Sequence, residues 1–198
     1  MSADDFRWLR HTFDLAAQAV AAGDGAFAAV LVGPGEEFVL DALQTRVRTK
    51  DATGHAELSL CREATVRFQR EFLATCTIYS STEPCPMCAG AIAWSGIGRI
   101  VFGVSQARCY EVFGNSPPPR FREPPPCRLI LSNLNPPIEV LGPLLEEEGL
   151  RPHLLFASAS SSLPFTGQPC SAAKTVGLSP AAGEPNLDLS PENSVLTK

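Results

Sequence analysis

No stretch of this 198-residue chain approaches the ~18 consecutive apolar residues of a membrane-crossing helix. The first residues, Met1 to Asp5, are acidic and lack the basic and apolar run of a secretory leader. Basic residues are also in deficit, with 16 Lys and Arg against 21 Asp and Glu and a formal charge of −5. Binders of a phosphate backbone carry a basic patch that releases counterions, so a small neutral partner fits better than nucleic acid. These absences exclude a helical membrane protein and point to a soluble, cytoplasmic one. The seven cysteines are odd in number and fit a reducing compartment better than a disulfide framework. Only one Cys-x-x-Cys is present, without the second Cys-x-x-Cys or Cys/His pair that a structural zinc knuckle or ribbon uses.

Two short motifs carry the chemistry: His55-Ala56-Glu57, and Pro84-Cys85-Pro86-Met87-Cys88. Cys85 and Cys88 share one face of a helical turn and can grip one ion, with Pro86 pre-set for the first helical position. His55 supplies a third ligand. Structural zinc sites are closed by four protein ligands, whereas a catalytic zinc keeps a corner for water, whose pKa it lowers to ~7. Three ligands therefore predict a working site holding one Zn2+ per chain. Two thiolates offset the metal's charge and leave its water less acidified, which makes a neighbouring base valuable; Glu57 is the candidate. In a first helical turn side chains lean toward the N-terminus, so His55 and Glu57 both reach an ion placed ahead of it. Thr53 is the expected cap of that helix.

A His-x-Glu followed by Pro-Cys-x-x-Cys is the signature of zinc-dependent nucleobase deaminases, with the Glu as proton shuttle and not a ligand. The longer runs Asp51-Ala52-Thr53-Gly54-His55-Ala56-Glu57 and Ser81 to Ile92 resemble the purine-type branch of the cytidine deaminase-like superfamily, which contains guanine, guanosine and tRNA wobble-adenosine deaminases. The resemblance covers roughly Asp4 to Phe156. It implies hydrolytic deamination of a free base or nucleoside of guanine or guanosine type, with release of ammonia and Glu57 carrying the protons. Two other readings stand beside it. One is a tRNA adenosine deaminase, which needs a basic active-site mouth; the other is a zinc-containing interaction partner without turnover, since the superfamily includes noncatalytic subunits.

The resemblance also implies substrate contacts at the backbone of Ala56 and Cys85, and an amide where relatives carry Asn and this chain has Gln44. Phe27 and Trp94 are further candidates for the pocket lining. Departures bear on the substrate: Ala26-Phe27-Ala28-Ala29 stands for Pro-Phe-Gly-Ala, Ala52 for Pro, and Phe113-Gly114-Asn115-Ser116 lacks the acidic residue that guanine deaminases place there. A homodimer is implied by the family. The basic runs Arg46, Arg48, Lys50 and Arg120, Arg122, Arg128 keep an RNA partner in view.

Along the chain, Ser2 and Asp5 form a capping pair ahead of an amphipathic helix that ends at Gly23 and Gly25. Ala26–Val32 and Phe38–Leu43 flank Gly33-Pro34-Gly35-Glu36 as a hairpin. A helix from His55 to about Phe68, with Leu58, Cys61, Ala64, Thr65 and Phe68 on its core face, leads to a central strand at Cys76–Ser80. A helix from Cys85 to about Trp94 precedes a strand at Arg99–Val104. Gly114–Pro126, with six prolines, reads as an extended crossing loop. A strand at Ile138–Leu141 and a helix at Leu144–Phe156 complete the domain, the helix between the last two strands being supplied by the family pattern. The expected fold is α/β, a three-layer α/β/α sandwich on a mixed five-stranded sheet, cytidine deaminase-like. The domain is assigned to 1–156, and the Ser/Ala/Pro-rich 157–198 to a disordered tail.

Overall fold

The computed structural model describes residues 2–113 and 125–160, the side chains of 159 and 160 apart. At the start, the Asp5 amide donates to the Ser2 hydroxyl at 3.2 Å and the Ser2 amide to the Asp5 carboxylate at 2.7 Å. This reciprocal cap satisfies two donors that a helix end leaves open and begins α1 (Ala3–Ala21). The hairpin follows as β1 (Ala28–Val32) and β2 (Phe38–Leu43), antiparallel, then β3 (Thr77–Thr82), β4 (Arg99–Val104) and β5 (Glu139–Leu141). The sheet order is β2-β1-β3-β4-β5; β1 pairs antiparallel with β2 and β3, and the β3–β4 and β4–β5 pairs are parallel. The five-stranded mixed sheet agrees with the expected class.

Parallel neighbours need crossover connections, and these place helices on the faces. From β3 the chain passes through α5 (Pro86–Ser95) to β4. Between β4 and β5 the described residues form two short helices, α6 (Gln106–Val112) and α7 (Cys127–Leu131), where a single one was expected. Most of the proline-rich loop, 114–124 including Asn115, Arg120 and Arg122, lies outside the described residues, as does 161–198 of the tail. Two further short helices, α2 (Arg46–Thr49) and α4 (Arg70–Leu73), have no counterpart in the periodicity, because one turn carries too few residues to show a period.

One core layer packs α3 (Ala56–Arg67), α5 and α7 onto the sheet through Leu60, Ala64, Ile78, Ile92, Ile100 and Leu131. The other packs α1 through Leu9, Phe13 and Ala16 against Val30, Tyr79 and Val101. The last helix, α8 (Glu146–Ser160), lies beside α1 and runs past the Phe156 end expected for it. Tyr79 and Arg99 both reach the Asp5 carboxylate, at 3.0 and 2.7 Å, and tie α1 to the sheet. Burial disfavours that charge, but the Arg99, Ser2 and Tyr79 hydrogen bonds outweigh it and hold Asp5 at about 2.

The core face of α3 differs from the expected one. Ala56, Glu57, Leu60, Cys61 and Ala64 are buried, Leu58 is half-buried and Thr65 is exposed. The true stripe is rotated toward Leu60, because the helix is covered by β1, β2 and α5 at once and Glu57 is drawn inward. Cys61 and Cys76 are buried core thiols, as expected, and burial pushes Cys61 up to about 12, an inert state.

Candidate active site

Two helix N-termini converge here. His55 is the N-cap of α3 and Cys85 the N-cap of α5, with Pro86 in the first turn and no side-chain hydrogen bond capping either helix. Thr53, the expected cap, instead donates to Asp51 Oδ1 through its amide and hydroxyl, at 2.8 and 2.7 Å, in a turn that leads into Gly54. The uncapped amides give both ends a partial positive charge that favours thiolate.

His55 Nδ1 lies 3.6 Å from Cys85 Sγ and 3.6 Å from Cys88 Sγ, and the three ligand atoms lie within 4.8 Å of one another. A tetrahedral zinc with ordinary Zn–N and Zn–S bonds requires a nitrogen–sulfur separation of about 3.6 Å. The donor set, the spacing and the burial of Cys88 therefore fit zinc. The Cys88 thiol holds Cys85 low, with His55 assisting, while the same contact, burial and nearby charge push Cys88 far up. His55 is raised by its contact with Cys85, against the effect of burial.

Glu57, 5% exposed, stands beside this triad. Burial raises its pKa, and the Cys85 thiolate adds to the effect; the Ser80 hydroxyl, which donates to Oε1 at 2.8 Å, works the other way. Ser80 also lies 2.6 Å from the Thr82 carbonyl. The loop that delivers Cys85 is held by Glu83, whose carboxylate accepts from the Gln106 amide at 3.1 Å and the Cys127 amide at 3.0 Å. Gln106 in turn donates from its side chain to the Pro84 carbonyl at 3.2 Å. Sequence reasoning missed Ser80, Glu83 and Gln106. Glu83 was visible next to Pro84, but its partners come from distant parts of the chain; a Ser inside a strand carries no signal at all.

The expected substrate contacts separate into two groups. Ala56 is fully buried at the first position of α3, and Gln44 is 3% exposed at the end of β2. The Gln44 amide donates to the Phe27 carbonyl and the Thr45 amide to the Gly54 carbonyl, both at 2.9 Å, so Gln44 is held close to His55. Phe27 is half-buried and meets the His153 ring edge-on at 4.9 Å. Trp94 is 87% exposed and borders a cleft of about 670 Å³ with Thr45, Thr53 and Gly54, which adjoin Gln44 and His55, while His55, Glu57, Cys85 and Cys88 themselves do not line it. Two cations of the basic runs are engaged, Arg48 with buried Asp24 at 3.2 Å and Arg128 with the Val140 and Gly142 carbonyls at 3.2 and 2.6 Å.

Known proteins resemble this chain in sequence and in fold. Residues 2–104 match the cytidine and deoxycytidylate deaminase zinc-binding region. A probable cytosine deaminase of Schizosaccharomyces pombe is 36% identical over 156 residues, which are 77% of this chain and 92% of that protein. A tRNA-specific adenosine deaminase of Haemophilus influenzae is 37% identical over 101 residues, 51% of this chain and 58% of that one. The structure of a guanine deaminase from Nitrosomonas europaea superimposes with a TM-score of 0.63 at 20% identity, covering 79% of this chain and 85% of that chain, and shares the fold. No helix among the described residues is long and apolar enough to cross a membrane. The matched family region, the full-length relative and the His/Cys/Cys group together show that the chain belongs to the zinc-binding cytidine and deoxycytidylate deaminase family.

Proposed function

We propose that the protein is a zinc-dependent hydrolytic deaminase of a free nucleobase or nucleoside, with a purine of guanine or guanosine type as substrate. The observation that carries this reading is the buried Glu57 carboxylate, held by Ser80 beside the His55, Cys85 and Cys88 group. A free base is favoured over RNA by the net charge of −5 and by the engagement of Arg48 and Arg128 within the fold. In sequence, the fission-yeast cytosine deaminase matches 77% of this chain and the Haemophilus tRNA deaminase 51% of it. Cytosine is the second reading, favoured by the fission-yeast relative that aligns over 92% of its length.

His55, Cys85 and Cys88 would hold the zinc. Bound there, the metal supplies Lewis-acid activation of water. Glu57 takes the proton of the attacking water, delivers it to the ring nitrogen and passes a proton to the departing amine. The balance is one amidine carbon and one water giving a carbonyl and ammonia. Gln44 and the backbone at Ala56 hold the base, and Phe27 borders it. Trp94, on the exposed outer face of α5 like Val66 on that of α3, is assigned to a contact with a second copy of the chain, giving a homodimer. The reaction belongs to the domain that α8 closes.

The test is ammonia release by zinc-loaded protein from guanine, guanosine, cytosine, cytidine, adenosine and a tRNA anticodon stem-loop, with Glu57→Ala as blank. Release from guanine or guanosine supports the reading. Release from cytosine alone moves it to the second, and release from the stem-loop alone refutes both.

A further inference from the structure

Gly25, in the loop between α1 and β1, does not adopt the left-handed backbone that commonly requires glycine. What it provides is space. A Cβ built there would stand 2.6 Å from Gln44 Nε2 and 3.3 Å from two atoms of the Phe27 ring. Side-chain atoms settle near about 3.5–4.0 Å, so the Gln44 amide occupies a slot that any other residue at position 25 would fill.

Gln44 is also unusual in what it lacks. Its side chain makes no hydrogen bond among the described residues, although the residue is only 3% exposed. No fully buried side-chain nitrogen or oxygen among the described residues is without a partner, so the little surface Gln44 keeps includes its amide. A primary amide that is enclosed but not sealed has donor and acceptor capacity free for a ligand. The backbone pairings of Gln44 with Phe27 and of Thr45 with Gly54 bring this segment alongside the residue that precedes His55.

We propose that Gly25 is the positioning residue for Gln44: its missing Cβ leaves the slot in which the Gln44 side chain lies, and this pair sets where the amide presents its donor and acceptor to the edge of a nucleobase. The inference rests on the reading of Gln44 as a contact to the base. An asparagine, shorter by one methylene, would not reach the slot. The two positions are therefore coupled, and Gly25 matters only while residue 44 is long.

The experiment is a double-mutant cycle with Gly25→Ala and Gln44→Asn on zinc-loaded full-length protein. The KM and kcat of ammonia release from guanine and from cytosine are measured, together with the side-chain NH2 resonances of Gln44 in 15N-labelled protein. Gly25→Ala is expected to raise KM about tenfold with kcat within about twofold, and to add less than about twofold in the Gln44→Asn background. The Gln44 NH2 pair should shift in Gly25→Ala. Equal cost in both backgrounds, failure of both variants to fold included, or an unmoved NH2 pair overturns the proposal. Gln44→Ala separates the levels: unchanged KM for both bases sinks the base-contact reading and the proposal with it. If that variant raises KM while Gly25→Ala does not, only the role of Gly25 falls. If neither base releases ammonia from the unaltered protein, the functional reading fails, and the NH2 resonance alone decides the Gly25–Gln44 contact.

Discussion

The Ser80 hydroxyl sits 2.8 Å from Glu57 Oε1 and 2.6 Å from the Thr82 carbonyl, all of it buried. A hydroxyl has one proton to give. The Thr82 carbonyl and the Glu57 carboxylate both accept, so they share that proton, and Ser80 ties one carboxylate oxygen of Glu57 to the end of β3. A hydrogen bond to a charged group contributes about 1.5–3 kcal/mol, so Ser80→Ala should lower kcat about tenfold or more. Zinc content should be unchanged, and Ser80→Thr should recover most of the rate. Full activity in Ser80→Ala would show that packing alone holds Glu57.

Glu57→Gln keeps the shape of the side chain and removes its ability to carry protons. Ammonia release should fall by about 10²–10⁴-fold. Metal analysis should still find one zinc per chain. Loss of zinc in this variant would instead make Glu57 a ligand.

Replacing Cys88 with Ser exchanges a buried soft ligand for a hard one. The variant should bind zinc at least about tenfold more weakly in a chelator competition. Dialysis of the unaltered protein against chelator should abolish turnover, and added zinc should restore it. Unchanged zinc affinity in Cys88→Ser would remove it from the ligand set.

Glu83 joins the approach to Cys85 with the starts of α6 and α7 through two backbone amides. Glu83→Gln puts an amide where one of those N–H groups finds an acceptor, and leaving a buried donor unpaired costs about 1–3 kcal/mol. Zinc affinity and melting temperature should both fall. A drop in melting temperature with intact zinc affinity would limit Glu83 to general packing.

His153 is fully buried, with Nε2 2.9 Å from Thr82 Oγ1, and burial pushes its pKa down to about 4. In the unfolded chain it takes up a proton near 6.5. Stability from this group is therefore complete above about pH 6.5 and is lost as pH falls toward about 4, by roughly 3 kcal/mol in all. Urea unfolding between pH 7 and 4 should show that loss in the unaltered protein and a shallower one in His153→Gln. Equal slopes would refute it.

The site and the fold differed in how much of them local chemistry could announce. The candidate group His55, Cys85 and Cys88, with Glu57 beside it, was legible because metal binding and proton transfer demand particular atoms at particular spacings, whatever the surrounding fold. The hairpin, the central strand and α1 were legible because each carries its own period or turn. The core face of α3 was read correctly at Cys61, Ala64 and Phe68 and wrongly at Leu58 and Thr65, since Leu58 and Leu60 are equally apolar and only the layers packed around the helix decide between them. Trp94 was a candidate for the pocket because it follows Cys88 on α5; how far it is exposed, and that it borders the cleft beside Gly54, only the packing decided.

The order of residues by itself determined the ligand types, their grouping in two helix starts and the α/β class, because these depend on neighbours in the chain. Only the tertiary structure decided that Ser80 reaches Glu57, that Glu83 caps two helices from a loop, and that Gly25 leaves room for Gln44. Such contacts join residues whose separation along the chain has no period, and they exist only once the sheet has set β1, β2 and β3 side by side.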